Sequence, residues 1–115
     1  MFSINDFLGL DLITWYKNLT DSDIPAERPI EYVSVNDLPL DDFIRKNEMV
    51  ISIATPYVKD ECLMHEFIQG LINAEASIFL LAIPGDEMSL SENNRRLAEK
   101  GGLPILLIPW DVRFA

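Results

Sequence analysis

Side chains that could bind a small polar ligand lie within or just after three apolar stretches of the sequence, residues 48–56, 78–84 and 103–109. Their hydroxyl, carboxylate and guanidinium groups supply both donors and acceptors of hydrogen bonds, which suits recognition by several converging polar contacts. The candidate ligand-binding residues are Ser52, Thr55, Tyr57, Asp86, Asp111 and Arg113.

Two of these acids share one local pattern. Asp86 and Asp111 each stand three residues after the isoleucine that closes an apolar stretch, with a proline between. In one interpretation the acids converge with the hydroxyl groups on a small metabolite. In the other, the proline ends a strand and the aspartate makes an ordinary turn. The sequence leaves both interpretations open.

Catalytic and metal chemistry lack the residues that they need. Glu61, Cys62, His65 and Glu66 stand together, but the chain has 1 His and 1 Cys, too few for a closed zinc site of nitrogen and sulfur ligands. The sequence contains no Gly-x-Ser-x-Gly elbow, no Gly-x-Gly-x-x-Gly motif and no Walker loop. We therefore predict no catalytic residue, no metal site and no cofactor.

The composition limits the class of partner. With 19 acidic and 9 basic side chains the chain carries a net charge of -10, which disfavours direct contact with nucleic acid. A single cysteine fits a reducing compartment, and no apolar run reaches the roughly 20 residues of a membrane span. We expect one cytoplasmic domain of 115 residues that makes no membrane contact and is a piece of a longer protein.

Three apolar strands must position the candidate ligand-binding residues. Residues 48–56, 78–83 and 103–108 are near-continuous apolar runs separated by helical patterns, which is typical of a parallel sheet covered on both faces. The predicted fold is a single α/β domain, with a mostly parallel sheet, a βαβαβ core and flanking helices. Two further strands are predicted over Leu12–Tyr16 and Pro29–Val35, the second with one wetter face.

Capping residues predict where the helices begin and end. Ser3 and Asp6 can form a capping box for a first helix that Gly9 ends, and Asp60 can cap a long helix with an apolar stripe. A second capping box is predicted at residues 89–92, for a helix that ends at Gly102. A short helical turn is predicted over residues 39–45.

The order and spacing of these segments resemble the N-terminal regulatory domain of the purine catabolism regulator (PucR) family of bacterial transcription factors. The matching pieces are Arg28-Pro29-Ile30-Glu31-Tyr32-Val33-Ser34-Val35, Asn36-Asp37-Leu38-Pro39, Glu48-Met49-Val50-Ile51, and Gly102-Leu103-Pro104-Ile105-Leu106 through Phe114. In place of the family's Thr-Thr-Gly, this chain has Ser52-Ile53-Ala54. Glycine would let a ligand approach the backbone closely, so its replacement by Ala54 argues against a ligand site of the family's kind at this motif.

The resemblance implies a non-catalytic domain that senses a small-molecule effector, dimerises, or does both. It also implies that DNA is bound only by a C-terminal helix-turn-helix outside these residues. Regulators of this kind pair to bind DNA, so exposed aromatic side chains are candidates for a homodimer interface. These candidates are Trp15, Tyr16, Trp110 and Phe114, of which Trp15 and Trp110 could equally fill the edges of the core.

Two alternatives stay open. The order of strands also resembles the accessory N-terminal domain of the Mur ligases, which binds a nucleotide-sugar. Thr20-Asp21-Ser22-Asp23 stands near the place of that family's Asp-Ser-Arg, but the arginine that would hold a phosphate is missing. The other alternative is a purely structural interaction domain without a ligand.

Overall fold

The computed structural model describes residues 1–35, 44–53, 60–85 and 87–109 as a mixed five-stranded sheet with helices on both faces. The strands are β1 (Lys17–Asn18), β2 (Tyr32–Val35), β3 (Glu48–Ser52), β4 (Ile78–Ile83) and β5 (Ile105–Pro109). The helices of the described residues are α1 (Ile4–Leu8), α2 (Glu61–Asn73) and α3 (Glu92–Gly101).

The strand order across the sheet is β1-β5-β4-β3-β2. Strands β2 to β5 are parallel to their neighbours, and β1 pairs antiparallel with β5. The predicted α/β fold with its βαβαβ core is therefore confirmed, while the sheet is mixed because of the antiparallel edge strand. The strand over residues 48–52 lies inside the sheet, but its middle strand is β4.

Alternation along the strands divides the core into two layers. Val50, Phe79 and Leu107 face α2 and α3, where Phe67 packs against Phe79 with ring centroids 5.0 Å apart. The intervening residues, Met49 and Leu80 among them, pack with Ile4 and Phe7 of α1 on the other face. This double coverage explains why β3, β4 and β5 are buried along their whole length rather than at alternate residues.

The predicted helix caps are mostly confirmed. Ser3 caps α1 in a reciprocal capping box with Asp6, and the Asp60 carboxylate accepts the backbone N–H groups of Cys62 and Leu63 at the start of α2. Gly102 ends α3 in the left-handed conformation, with φ of 70°.

Four predicted boundaries are wrong. Residues 12–16 are not a strand, because the pairing with β5 begins at Lys17. Helix α3 is capped by Ser91, which accepts the N–H of Asn94, so it starts later than a cap at Ser89 would place it. Strand β3 ends at Ser52 and the last strand begins at Ile105. The turn predicted over 39–45 lies mostly outside the described residues.

Strand β2 is short and exposed at most of its residues, whereas the sequence predicted a strand with only one solvent-exposed face. Tyr32, Val33 and Val35 are 40%, 50% and 55% exposed. They lie at the end of the sheet, where a strand has a neighbour on one side. The alternating pattern of residues 29–35 indicated a strand correctly but did not place it at an edge.

Candidate functional site

The sequence-predicted ligand site lies almost entirely outside the described residues. Ser52 is described: it ends β3, pairs with Leu81 of β4 and is 3% exposed. It shares a sheet face with Val50, on the side of α2 and α3. The other predicted residues, Thr55, Tyr57, Asp86, Asp111 and Arg113, lie outside the described ranges.

The strand order of the sheet does not provide the crevice that a ligand site at the strand ends would use. The four parallel strands follow each other in chain order across the sheet, and α2 and α3 both pack on one face. A doubly wound sheet instead reverses its strand order, and the reversal opens a crevice at the carboxyl ends of the strands. Among the described strands that reversal is absent, so a site at Ser52 would have to be built by the loops alone.

The predicted interface aromatics are described in part. Trp15 and Tyr16 are 39% and 45% exposed and directly precede β1. Leu10 and Leu12, in the same connection from α1, are 38% and 40% exposed. Trp110 and Phe114 lie outside the described residues.

A buried carboxylate lies at the opposite, amino-terminal end of the parallel strands. Glu48, the first residue of β3, is 1% exposed. Its Oε2 accepts a hydrogen bond of 2.7 Å from the Ser34 hydroxyl, and its Oε1 accepts one of 3.1 Å from Arg45 Nε. The Arg45 guanidinium carbon lies 3.7 Å from the ring centroid of Tyr32, a cation–π geometry. Since both oxygens are engaged, Glu48 positions Arg45 rather than meeting a substrate.

Arg28 lies beyond the same end of the sheet, immediately before Pro29. Its Nη1 donates to the carbonyl oxygens of Ser77 and Gly102, at 3.2 and 2.7 Å. The Ser77 hydroxyl in turn donates to the Pro29 carbonyl oxygen. Partial burial lowers the pKa of Arg28 from its ordinary value. These contacts fix the segment before β2 to the starts of β4 and β5.

Two cavities adjoin Arg28. The larger, of about 250 Å³, is also lined by Lys46, Asn47, Glu75 and Gly101. The smaller, of about 110 Å³, is also lined by residues of the 20–25 loop and by Glu99. This region was not among the candidate sites predicted from the sequence, because those candidates are polar residues that follow the carboxyl ends of the strands. The signal that could have found it was the cation of Arg28-Pro29 at the entry to β2.

The loop after β1 is fixed to α3 by charge. Arg95 Nη1 lies 2.7 Å from Asp21 Oδ2 and 3.1 Å from Glu99 Oε2, and the Asp21 backbone N–H donates to Glu99 at 2.7 Å. The Asp21 N–H, followed by the Arg95 side chain, lowers the pKa of Glu99. The hydrogen bond to Glu99 and the charge of Asp21 raise the pKa of Arg95.

The cluster around His65 holds two helices together. His65 Nδ1 lies 2.9 Å from Asn94 Oδ1, and Asn94 Nδ2 donates to the Glu61 carbonyl oxygen at 3.2 Å. Asn94 is 2% exposed, whereas Cys62 is an exposed free thiol. Over the described ranges, no group of three or more His, Cys, Asp or Glu side chains could hold a metal ion. Nor is any helix in those ranges long and apolar enough to cross a membrane.

Comparison with known proteins gives one match. The model of the PucR family, described as the purine catabolism regulatory protein-like family, matches residues 15–115. That range contains all five strands of the sheet and both helices of the βαβαβ core. No curated protein and no solved structure matches the chain.

Proposed function

The chain belongs to the purine catabolism regulatory protein-like (PucR) family, and on that premise we propose that it is the non-catalytic regulatory domain of a transcription regulator. The family match over residues 15–115 carries this proposal. The net charge of -10 supports it, because a regulatory part that leaves DNA contact to another domain has no need of a basic surface.

In this proposal the domain senses a small metabolite of purine catabolism. The candidate binding residues remain those predicted at the strand ends, Ser52, Thr55, Tyr57, Asp86, Asp111 and Arg113. Ser52 supports the placement in one respect, since it ends a strand that lies inside the sheet and is held there by its pairing with Leu81 of β4.

Thermal melting of the purified chain against a panel of purine-pathway metabolites tests the sensing proposal. A metabolite at a hundred times its Kd should stabilise the fold by about 2.7 kcal/mol. Thr55→Ala and Asp86→Ala should abolish the rise in Tm. Asp11→Ala, which removes an exposed carboxylate near α1, is the matched control and should retain it. A flat response to the whole panel would contradict the proposed sensing.

Dimerisation is a second candidate function of the same domain. The exposed group of Leu10, Leu12, Trp15 and Tyr16 supports it, because aromatic residues are enriched at interfaces between proteins. The proposed partner is a second copy of the chain.

A further inference from the structure

The cavity of about 250 Å³ beside Arg28 lies where four parallel strands begin. Its lining residues come from the segments just before the strands: Arg28 precedes β2, Asn47 precedes β3, Ala76 precedes β4 and Leu103 precedes β5. It is thus at the opposite end of β3 from Ser52, the one described residue among those proposed above to sense a metabolite. A cavity of this volume would hold about eight waters at their share of liquid volume, or one small organic molecule.

Arg28 has donors that make no hydrogen bond within the described residues. Both of its hydrogen bonds in the structure come from Nη1, which leaves Nε and Nη2 without a partner. Throughout the described residues, no buried side-chain nitrogen or oxygen lacks a hydrogen-bond partner. The Nε and Nη2 atoms are therefore not fully buried, and Arg28 is a lining residue of both cavities. An Nε and Nη2 edge is one that binds a carboxylate through two parallel hydrogen bonds.

The residues that line the larger cavity include one more cation than anion. Arg28 and Lys46 are positive, and Glu75 supplies the single carboxylate of the lining. Neither Arg28 nor Lys46 takes part in an ion pair within the described residues, whose four ion pairs involve Arg45, Arg95 and Arg96. One surplus positive charge matches an anion that carries a single charge.

The ends of the helices oppose an anion here, and Arg28 offsets them. Helices α2 and α3 both end beside the cavity, and the carboxyl end of a helix carries partial negative charge. Arg28 donates to the Gly102 carbonyl at the end of α3, so its positive charge stands between that helix end and the cavity. The partial burial that lowers the pKa of Arg28 adds to its demand for a counter-ion.

The wall of the cavity is held in a defined shape. Asn47 and Glu75 both adopt left-handed backbone conformations, with φ of 64° and 60°, which non-glycine residues seldom do. The Asn47 N–H donates to the Glu75 carbonyl oxygen at 3.1 Å, and the Asn47 side chain donates to Glu31 at 2.8 Å. These bonds fix Lys46 and Glu75 on neighbouring parts of the rim.

We propose that this cavity binds a small organic carboxylate, with the carboxylate group on the free edge of Arg28 and within reach of Lys46. The surplus of one positive charge and the presence of Glu75 favour a singly charged carboxylate over a doubly charged phosphate. The site is separate from the strand-end residues, and binding there can be measured whether or not the chain regulates transcription.

The experiment measures binding of simple anions to the purified chain by thermal melting and by ¹H–¹⁵N NMR. The probes are acetate, propionate and lactate, with acetamide as the uncharged control, inorganic phosphate as the alternative anion, and chloride to match ionic strength. We expect at least one carboxylate to raise Tm saturably and to shift the backbone amide signals of Asn47, Glu75 and Gly102. Acetamide should do neither, and phosphate should bind more weakly.

Variants at Lys46 test the location. Lys46 is exposed and without an ion pair in the described residues, so Lys46→Gln should fold with an unchanged Tm in the absence of ligand. It should weaken carboxylate binding roughly tenfold, the usual worth of one charged hydrogen bond. Lys46→Glu should abolish binding. Lys17→Gln makes the same change of charge on β1 and should leave binding unaltered.

Three results would overturn the proposal: no carboxylate binds, phosphate binds at least as tightly as every carboxylate, or Lys46→Gln binds as the natural chain does. If no purine-pathway metabolite raised the Tm, or if Thr55→Ala and Asp86→Ala had no effect on such a rise, the carboxylate measurements would not change. The two proposals therefore fail separately.

Discussion

At the amino-terminal end of the parallel strands, two charged residues connect segments of the fold in a way that no sequence pattern indicates. Arg28 and Glu48 each join segments that are distant in the chain, and each does so with a charged group. A buried carboxylate such as Glu48 is stable only while its partners satisfy it, because an unpaired charge out of water costs several kcal/mol. The Arg45 and Ser34 contacts are therefore a condition for burying Glu48.

We predict a measurable energetic coupling between Arg45 and Glu48. Arg45→Ala should destabilise the fold by about 1 to 3 kcal/mol, because it removes the cationic partner of the buried Glu48, while the 56% exposure of the Arg45 side chain keeps the loss below that of a fully buried pair. The Glu48→Gln change alone removes the charge that Arg45 balances. The double variant should lose less stability than the two single variants lose together, by about 0.5 kcal/mol or more. Urea unfolding of the four proteins measures this cycle.

The control for that cycle keeps the positive charge of residue 45 and changes the shape of the group that carries it. Arg45→Lys should recover part of the stability but not all, because an ammonium group lacks the planar guanidinium that lies over Tyr32. If the losses in free energy of unfolding were strictly additive, the contact between Arg45 and Glu48 would contribute no coupling energy.

At the scale of elements, close approach of the helix ends sets the packing of α2 against α3. Gly101, the last residue of α3, lies against Ile72 near the end of α2. A Cβ atom at Gly101 would come within 2.4 Å of Ile72 Cδ1 and 2.7 Å of Ile72 Cγ1. Glycine at this position therefore lets the two helix ends meet.

We predict that Gly101→Ala destabilises the fold by about 1 to 3 kcal/mol, the usual cost of overpacking. Gly9→Ala is the matched control: its Cβ would lie no nearer than 3.5 Å to the Asn5 carbonyl oxygen, an ordinary contact. Adding Ile72→Ala to Gly101→Ala should restore part of the loss, because it removes the atoms that clash. Thermal melting measures all four proteins, and equal Tm values for the two glycine variants would contradict the packing.

At the scale of the whole molecule, the two edges of the sheet differ. One edge is the two-residue strand β1, preceded by Trp15 and Tyr16, and the other is β2 with its exposed Val33 and Val35. Trp15 and Tyr16 are 39% and 45% exposed, so each offers roughly 100 Å² of free surface, and together with the exposed Leu10 and Leu12 they supply part of the roughly 800 Å² that each partner buries in a standard interface. The β1 edge is therefore the proposed homodimer surface.

We predict that the chain sediments at equilibrium with twice the monomer mass, and that Trp15→Ala with Tyr16→Ser returns it to the monomer. Val33→Ser on the opposite edge, where the side chain is 50% exposed, is the control and should leave the dimer intact. A monomeric natural chain, or a dimer dispersed by Val33→Ser instead, would contradict the predicted surface.

Local patterns in the sequence determined much of the fold. Strand β4 and the caps Ser3, Asp60 and Gly102 are readable because an apolar run, or a side chain within three residues, decides them. The α/β class and the parallel core follow from the alternation of apolar runs and amphipathic helices. The family likewise follows from the order and spacing of short motifs along the chain, and the family match confirms it.

Tertiary structure alone decided which residues meet across the chain. Arg28 reaches the carbonyl oxygens of Ser77 and Gly102, and the antiparallel position of β1 depends on β5, which is far away in sequence. No local pattern encodes such contacts, because they depend on the strand order and register of the finished sheet. The sequence therefore indicates the fold and the family of this protein, while the cavity beside Arg28 exists only once four strand starts and two helix ends are brought together.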